Sequence, residues 1–218
     1  MNLQTLAEHT VDVDLLPERP IVFDVGCRWF SFAGAIRAVR PAARVICFDP
    51  DPLVGGDLKA KDFEFYQNGL VGRPALAGRQ DVPAGSARLY RYLDGVSDFI
   101  DGLACEHYYR DHKIYSGDFV NVSVLTIQDA MRLAGVSHID CIKLDCECSE
   151  FSILEDWPGP VATQISVEFH DWADHMRWDG KYFEALFAGP LRDYRIVQHE
   201  WHGSYAHMDS LLVLKDAG

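Results

Sequence analysis

Two short apolar runs, PIVFDVG at 20–26, which ends at Gly26 just after Asp24, and ARVICFDPDP at 43–52, whose strand ends at Asp49, flank the helical pattern SFAGAIRAVRP. Continuous apolar runs of this length, with little polar alternation, are strands buried on both faces, and a helix between two of them makes a crossover unit. The pattern continues through DFEFYQNG as a strand, TIQDAMRLAG as a helix closed by Gly135, and IDCIKLD as a strand. SEFSILEDW then reads as a helix capped by Ser149, ATQISVEFHD as a strand and YFEALFAG as a helix, with YRIVQHEW and SLLVLK as closing strands. Alternation of this kind predicts an α/β chain built on a mostly parallel sheet.

The 218 residues, 48% hydrophobic and 24% charged, suit one domain with a sizeable core. We expect a single domain over 1–218, with a lead-in segment at 1–19 and an aromatic-rich inserted loop region at 72–118. The latter carries Tyr90, Tyr92, Phe99, His107, Tyr108, Tyr109, His112 and Tyr115, and a later connection carries His199, Trp201, His202, Tyr205 and His207. Such rings suit a partly wet small-molecule pocket or simply pack the loops down. A net charge of -13 works against broad contact with a phosphate backbone, so no nucleic-acid partner is expected. No secretory pattern opens the chain and no apolar run could span a bilayer, which predicts a cytoplasmic protein without a membrane partner. Its six cysteines are then expected as reduced thiols; the Cys146 and Cys148 pair could be a soft-metal or redox site, but lacks a second cluster.

Ligands of open parallel sheets bind beyond the carboxyl ends of the strands, where Asp24, Asp49, Asp145, Glu147 and Glu168 gather. Each could be a helix cap or a solvated turn residue. Asp49, ending the second strand of the first crossover, is placed to accept hydrogen bonds from ribose hydroxyls. The first turn, DVGCRWFSF, has one glycine and no pyrophosphate-binding fingerprint. An adenosine ligand without a pyrophosphate is therefore expected, and S-adenosylmethionine is the obvious one.

At these residues the chain resembles the FkbM-type methyltransferases. VFDVGCRWFSFAGAIRAVRPAARVICFDPDP is similar to their first motif and ribose acid, and VSVLTIQDAM to their V-x-V-x-T-L-D segment. IDCIKLDCECSEFSILED is similar to their I-D-x-x-K-x-D-x-E-G-x-E signature, and ISVEFHD to the strand that follows. The resemblance runs from about Ile21 to Lys215. It implies a Rossmann-like class I methyltransferase fold: a mostly parallel seven-stranded sheet with an antiparallel C-terminal strand and helices on both faces. It also implies that Asp24, Gly26 and Cys27 border the methionine portion of S-adenosylmethionine, Asp49 holds the ribose, Asn68 lies toward the adenine, and Asp145 faces the amino group or the transfer space. Arg28, Trp29 and Phe30 depart from the family's D-x-G-A-N-x-G turn, Cys148 stands where the signature has glycine, and Gln128 replaces an acid.

Methyl transfer to oxygen or nitrogen needs an aligned acceptor and a group that takes its proton. Asp145, Glu147, Glu168 and His170 are the candidates, with His170 the first choice as base and a capping role its alternative. Lys143 is expected to pair structurally with Glu168. With no planar-amine motif and an acidic surface, a small hydroxylated acceptor such as a sugar or secondary metabolite is expected, with homo-oligomerisation open and no resident metal. The competing readings are a metal-assisted transferase using the same four residues and a non-catalytic binding or scaffold protein; an NAD enzyme lacks its glycine fingerprint.

Overall fold

The computed structural model describes residues 1–73, 84–92, 99–100, 115–170, 180–202 and 207–217. The chain begins with a two-stranded hairpin, β1 (Leu3–Leu6) and β2 (His9–Asp12). The segment expected as a lead-in is thus folded. Its turn holds Ala7 at φ 48° and Glu8 at φ 74°, a doubly left-handed geometry that favours Asn-Gly. The hairpin is tied to the sheet through buried Gln164: the Asp12 N–H donates to its Oε1 at 2.9 Å, and its Nε2 donates to the Asp12 carbonyl at 3.1 Å.

The remaining elements are β3 (Ile21–Val25), α1 (Ser31–Val39), β4 (Arg44–Phe48), α2 (Pro52–Gly55), β5 (Glu64–Tyr66), β6 (Gly69–Leu70), β7 (Ser86–Tyr92), β8 (Phe99–Ile100) and β9 (Tyr115–Leu125). Then come α3 (Ile127–Ala134), β10 (Ile139–Leu144), α4 (Ser149–Glu155), β11 (Ala162–His170), α5 (Gly180–Ala188), β12 (Tyr194–His202) and β13 (His207–Leu214). Seven strands form the main sheet in the order β5-β4-β3-β10-β11-β13-β12. All pairs from β5 to β11 are parallel, and β13 lies antiparallel between β11 and β12. This is the expected Rossmann-like class I methyltransferase sheet. Its order reverses between β3 and β10, and that reversal opens a crevice at the carboxyl ends of the two strands.

Side-chain alternation divides the core between the two faces. Phe23, Val25, Ile46, Phe48, Ile142 and Leu144 pack with the apolar sides of α3, α4 and α5. Val22, Val45, Cys47 and Cys141 pack on the other face with Phe32, Ala33 and Ile36 of α1 and with Leu6 and Val11 of the hairpin. Helix α3 is closed at both ends: Thr126 and Asp129 form a reciprocal capping box, and Gly135 ends it at φ 67°. Helix α4 departs from expectation. Its N-cap is Cys148, left-handed at φ 72° and without a side-chain cap bond, and Ser149 is its first helical residue. Within 72–118, expected as loop, lie β7, β8 and the start of β9, which with β6 form a second sheet in the order β6-β9-β7-β8. His107, Tyr108, Tyr109, His112 and Tyr205 lie outside the described residues. No helix among the described residues is long and apolar enough to cross a membrane.

Candidate active site

Parallel pairing places Lys143 of β10 opposite Asp24 of β3 on the α1 face of the sheet. The buried ammonium donates to the Gly26 carbonyl at 2.5 Å and lies 3.3 Å from Asp24 Oδ1 and 3.2 Å from Asp145 Oδ2. Its partners are therefore Asp24 and Asp145, rather than the expected Glu168. The reason is register: on the neighbouring β11 Lys143 stands opposite Ser166, and Glu168 lies two residues further along that strand. Burial disfavours the ammonium, yet Asp145 and Asp24 hold the Lys143 pKa well above the ordinary lysine range. Burial likewise works against charge on Asp145, but Lys143 and His9 outweigh it and keep the carboxyl ionised far below the usual carboxylate range.

Beyond these strand ends lies a cavity of about 280 Å³ lined by Asp24, Gly26, Asp49, Asn68, Asp145 and Glu147. Five of the six expected cofactor residues thus meet at one crevice. Cys27 does not line it; that side chain is buried beneath, in the cluster with Cys47 and Cys141. Gly26 is held at φ 74°, and a Cβ there would stand 1.7 Å from the Asp145 carbonyl oxygen. Only glycine lets the first turn approach the β10 turn this closely. Asp24 caps the neighbouring helix, accepting from the Ala33 N–H at 3.2 Å. Asp49 accepts from the Asp51 N–H at 2.9 Å. Burial, reinforced by the Asp51 charge, pushes the Asp49 pKa up to about 7 against the opposing bond from the Asp51 backbone.

The remaining acids cluster around His170, whose ring is buried and does not line the cavity. Its Nδ1 lies 3.3 Å from Glu150 Oε1, and its Nε2 lies 3.3 Å from Glu168 Oε1 and 3.9 Å from both Glu147 and Asp145. Burial opposes the imidazolium, but Glu147 and Glu150 raise its pKa well above the ordinary histidine value. Enclosed by these carboxylates and outside the cavity lining, the ring is placed as a partner of the acids. Burial, with the charges of Asp145, Glu150 and Glu168, pushes Glu147 up to about 8 despite the opposing His170. Glu147 is itself left-handed at φ 50° and is followed by Cys148 at φ 72°, two consecutive non-glycine residues in that region between β10 and α4. Cys148 is disulfide-bonded, a departure from the all-reduced expectation, while Cys27, Cys47, Cys141 and Cys146 are free.

The hairpin adds a residue that the sequence did not announce. His9 is buried and lines the cavity, with Nε2 3.4 Å from Asp145 Oδ2 and its ring edge-on to Phe32. His9, Asp145 and Glu168 bring possible metal-ligand atoms within 4.8 Å of one another. Lys143 and His170 already stand against those two carboxylates. Asp51 and Leu89 also line the cavity.

Residues 102–193 match a sequence family described as Methyltransferase domain. That match spans 92 of the 218 residues, less than half of the chain. No curated protein matches the chain, and its similarities are to solved structures. The fibrillarin pre-rRNA processing protein of Methanococcus jannaschii is 10% identical, with 95% of this chain and 70% of that one covered at a TM-score of 0.48. An rRNA methylase from Streptococcus thermophilus is 11% identical, covering 93% and 90% at 0.44. A SAM-dependent methyltransferase from Aquifex aeolicus is 11% identical, covering 93% and 86% at 0.42.

Proposed function

We propose that the chain is an S-adenosylmethionine-dependent methyltransferase of the FkbM type that methylates a hydroxyl of a small acceptor, a sugar or secondary metabolite. The observation that carries this reading is the crevice at the strand-order reversal, where Asp24, Gly26, Asp49, Asn68 and Asp145 line one cavity. The cavity is close to the lower end of the roughly 300–1,000 Å³ common for small-molecule sites. The closeness of Gly26 to the Asp145 carbonyl fits a site built for backbone approach to a ligand.

S-adenosylmethionine, when bound, supplies a methyl group activated by its sulfonium. Asp49 accepts the ribose hydroxyls and Asn68 stands on the adenine side. Asp24 and Gly26 border the methionine portion above buried Cys27, and ionised Asp145 faces its ammonium or the transfer space. Glu147, lining the same cavity with a pKa near 8, is the group best matched to exchange the acceptor's proton. Glu168 and His170 hold the rim from behind. In this arrangement His170 keeps Glu147 and Asp145 oriented rather than acting as base.

Two solved structures of similar fold carry rRNA in their names. A net charge of -13 favours a small acceptor over a phosphate backbone here. A metal-assisted version would have to displace Lys143 and His170 from Asp145 and Glu168, which makes the metal-free version the better supported.

Calorimetric titration with S-adenosylmethionine and S-adenosylhomocysteine tests the reading. Micromolar binding by the wild type, lost in Asp49→Ala, is the expected result. No binding by the wild type would sink it in favour of a scaffold protein.

A further inference from the structure

The turn after β3 carries a strained feature that the proposed cofactor roles leave unused. Trp29 has φ 69° and ψ -8°, and Phe30 has φ 53° and ψ 26°. Two successive bulky residues in the left-handed region each cost free energy and persist only where the surroundings fix them. Phe30 does the fixing. It is buried, its ring lies stacked 5.5 Å from Phe63 and edge-on to Phe65, and its N–H donates to the Cys27 carbonyl at 2.7 Å.

With Phe30 inserted in the core, the turn leaves Trp29 59% exposed at the lining of the cavity. An indole left this open forgoes the burial that normally places tryptophan inside. Its surroundings locate it along the crevice. The Arg28 guanidinium lies 5.8 Å from the indole and 3.7 Å from Asp51 Oδ2, two residues beyond Asp49. Phe30 meanwhile touches Phe63 and Phe65, at the start of the strand that leads to Asn68. Through Arg28, Trp29 is joined to the Asp51 side of the cavity, two residues beyond the Asp49 that would hold the ribose of an adenosine.

We propose that Trp29 is a stacking platform for the purine base of the adenosine ligand. The proposal rests on the cofactor reading above and assigns the departure of this turn from the family motif a binding role. Stacking of a base on an aromatic ring contributes about 1–3 kcal/mol, so truncation should weaken binding about tenfold or more.

The test follows tryptophan fluorescence and calorimetry while wild type, Trp29→Phe, Trp29→Ala and Trp29→Gly are titrated with S-adenosylhomocysteine and with adenosine. Wild-type fluorescence should change on binding. Trp29→Phe should keep affinity within about threefold but lose most of that change, and both smaller side chains should bind about tenfold more weakly or worse. Trp29→Gly separates binding from folding: relieved of left-handed strain, it should unfold at an equal or higher urea concentration than wild type while still binding weakly. Undiminished affinity in Trp29→Ala and Trp29→Gly, with wild-type binding intact, overturns the platform alone. Failure of the wild type to bind either probe overturns the platform and the cofactor reading together.

Discussion

Lys143 is the residue on which the crevice turns. A fully apolar strand would be easier to bury, yet β10 carries an ammonium into the sheet because Asp24 and Asp145 stand within 3.3 Å of it. Removing one partner of a buried ion pair strands the other in a poor solvent, and here two carboxylates would be stranded together. Lys143→Met should therefore cost about 3–5 kcal/mol of stability, read as a lower urea midpoint. A change under about 1 kcal/mol would mean that water reaches these acids. The residue type was legible in the sequence, since a lysine inside an apolar strand demands an acid. Which acid was not, because that depends on the β3–β10 register.

Single elements show the same division. Strands β3, β4, β10 and β11 and helices α1 and α3 follow from apolar runs and the Thr126 and Gly135 caps. Hairpin β1–β2 could not be read, because Ala7 and Glu8 are not residues that announce a left-handed turn. That hairpin brings His9 to the cavity, so the unread element concealed an unread site residue. The first turn was legible only in part: its single glycine argued against a pyrophosphate fingerprint, while the close approach of Gly26 to the Asp145 backbone came from the tertiary structure. Gly26→Ala should cost about 2 kcal/mol or more and abolish S-adenosylhomocysteine binding, since the new Cβ meets the Asp145 backbone and φ is positive. Gly34→Ala is the matched control within α1. Nothing stands within 4 Å of its would-be Cβ, and it should be neutral or gain about 0.5–1 kcal/mol. Equal effects in the two urea titrations would remove the steric argument.

Across the molecule, the buried acids make stability depend on pH in a definite direction. Asp49 and Glu147 have folded pKa values near 7 and 8, above the ordinary carboxylate values near 4, so the folded state binds their protons more tightly than the unfolded chain does. Their contribution is fully present below the unfolded values and fades as pH rises through 7 and 8. His170, also raised, contributes below its unfolded value near 6.5 and loses that contribution at higher pH. Asp145 is depressed, so its contribution is lost only in acid, below the unfolded value. From pH 5 to 9 the urea midpoint should therefore fall. A midpoint that stays level over this range would show Asp49 and Glu147 to be ordinary exposed acids.

By itself the sequence determined the alternation of buried strands and helices, the gathering of acids at strand ends and the place of Asp49 just beyond β4. These are local properties, set by hydrophobic period, caps and the rule that parallel strands present their carboxyl ends on one rim. The tertiary structure decided the rest: that Lys143 serves Asp24 and Asp145, that His170 is enclosed by carboxylates, and that His9 reaches the cavity. It also decided that Phe30 enters the core and turns Trp29 outward. Each of these outcomes depends on residues far apart in the chain meeting in a low-dielectric interior, where a partner's distance sets charge, proton and strain, and no sequence spacing records that distance.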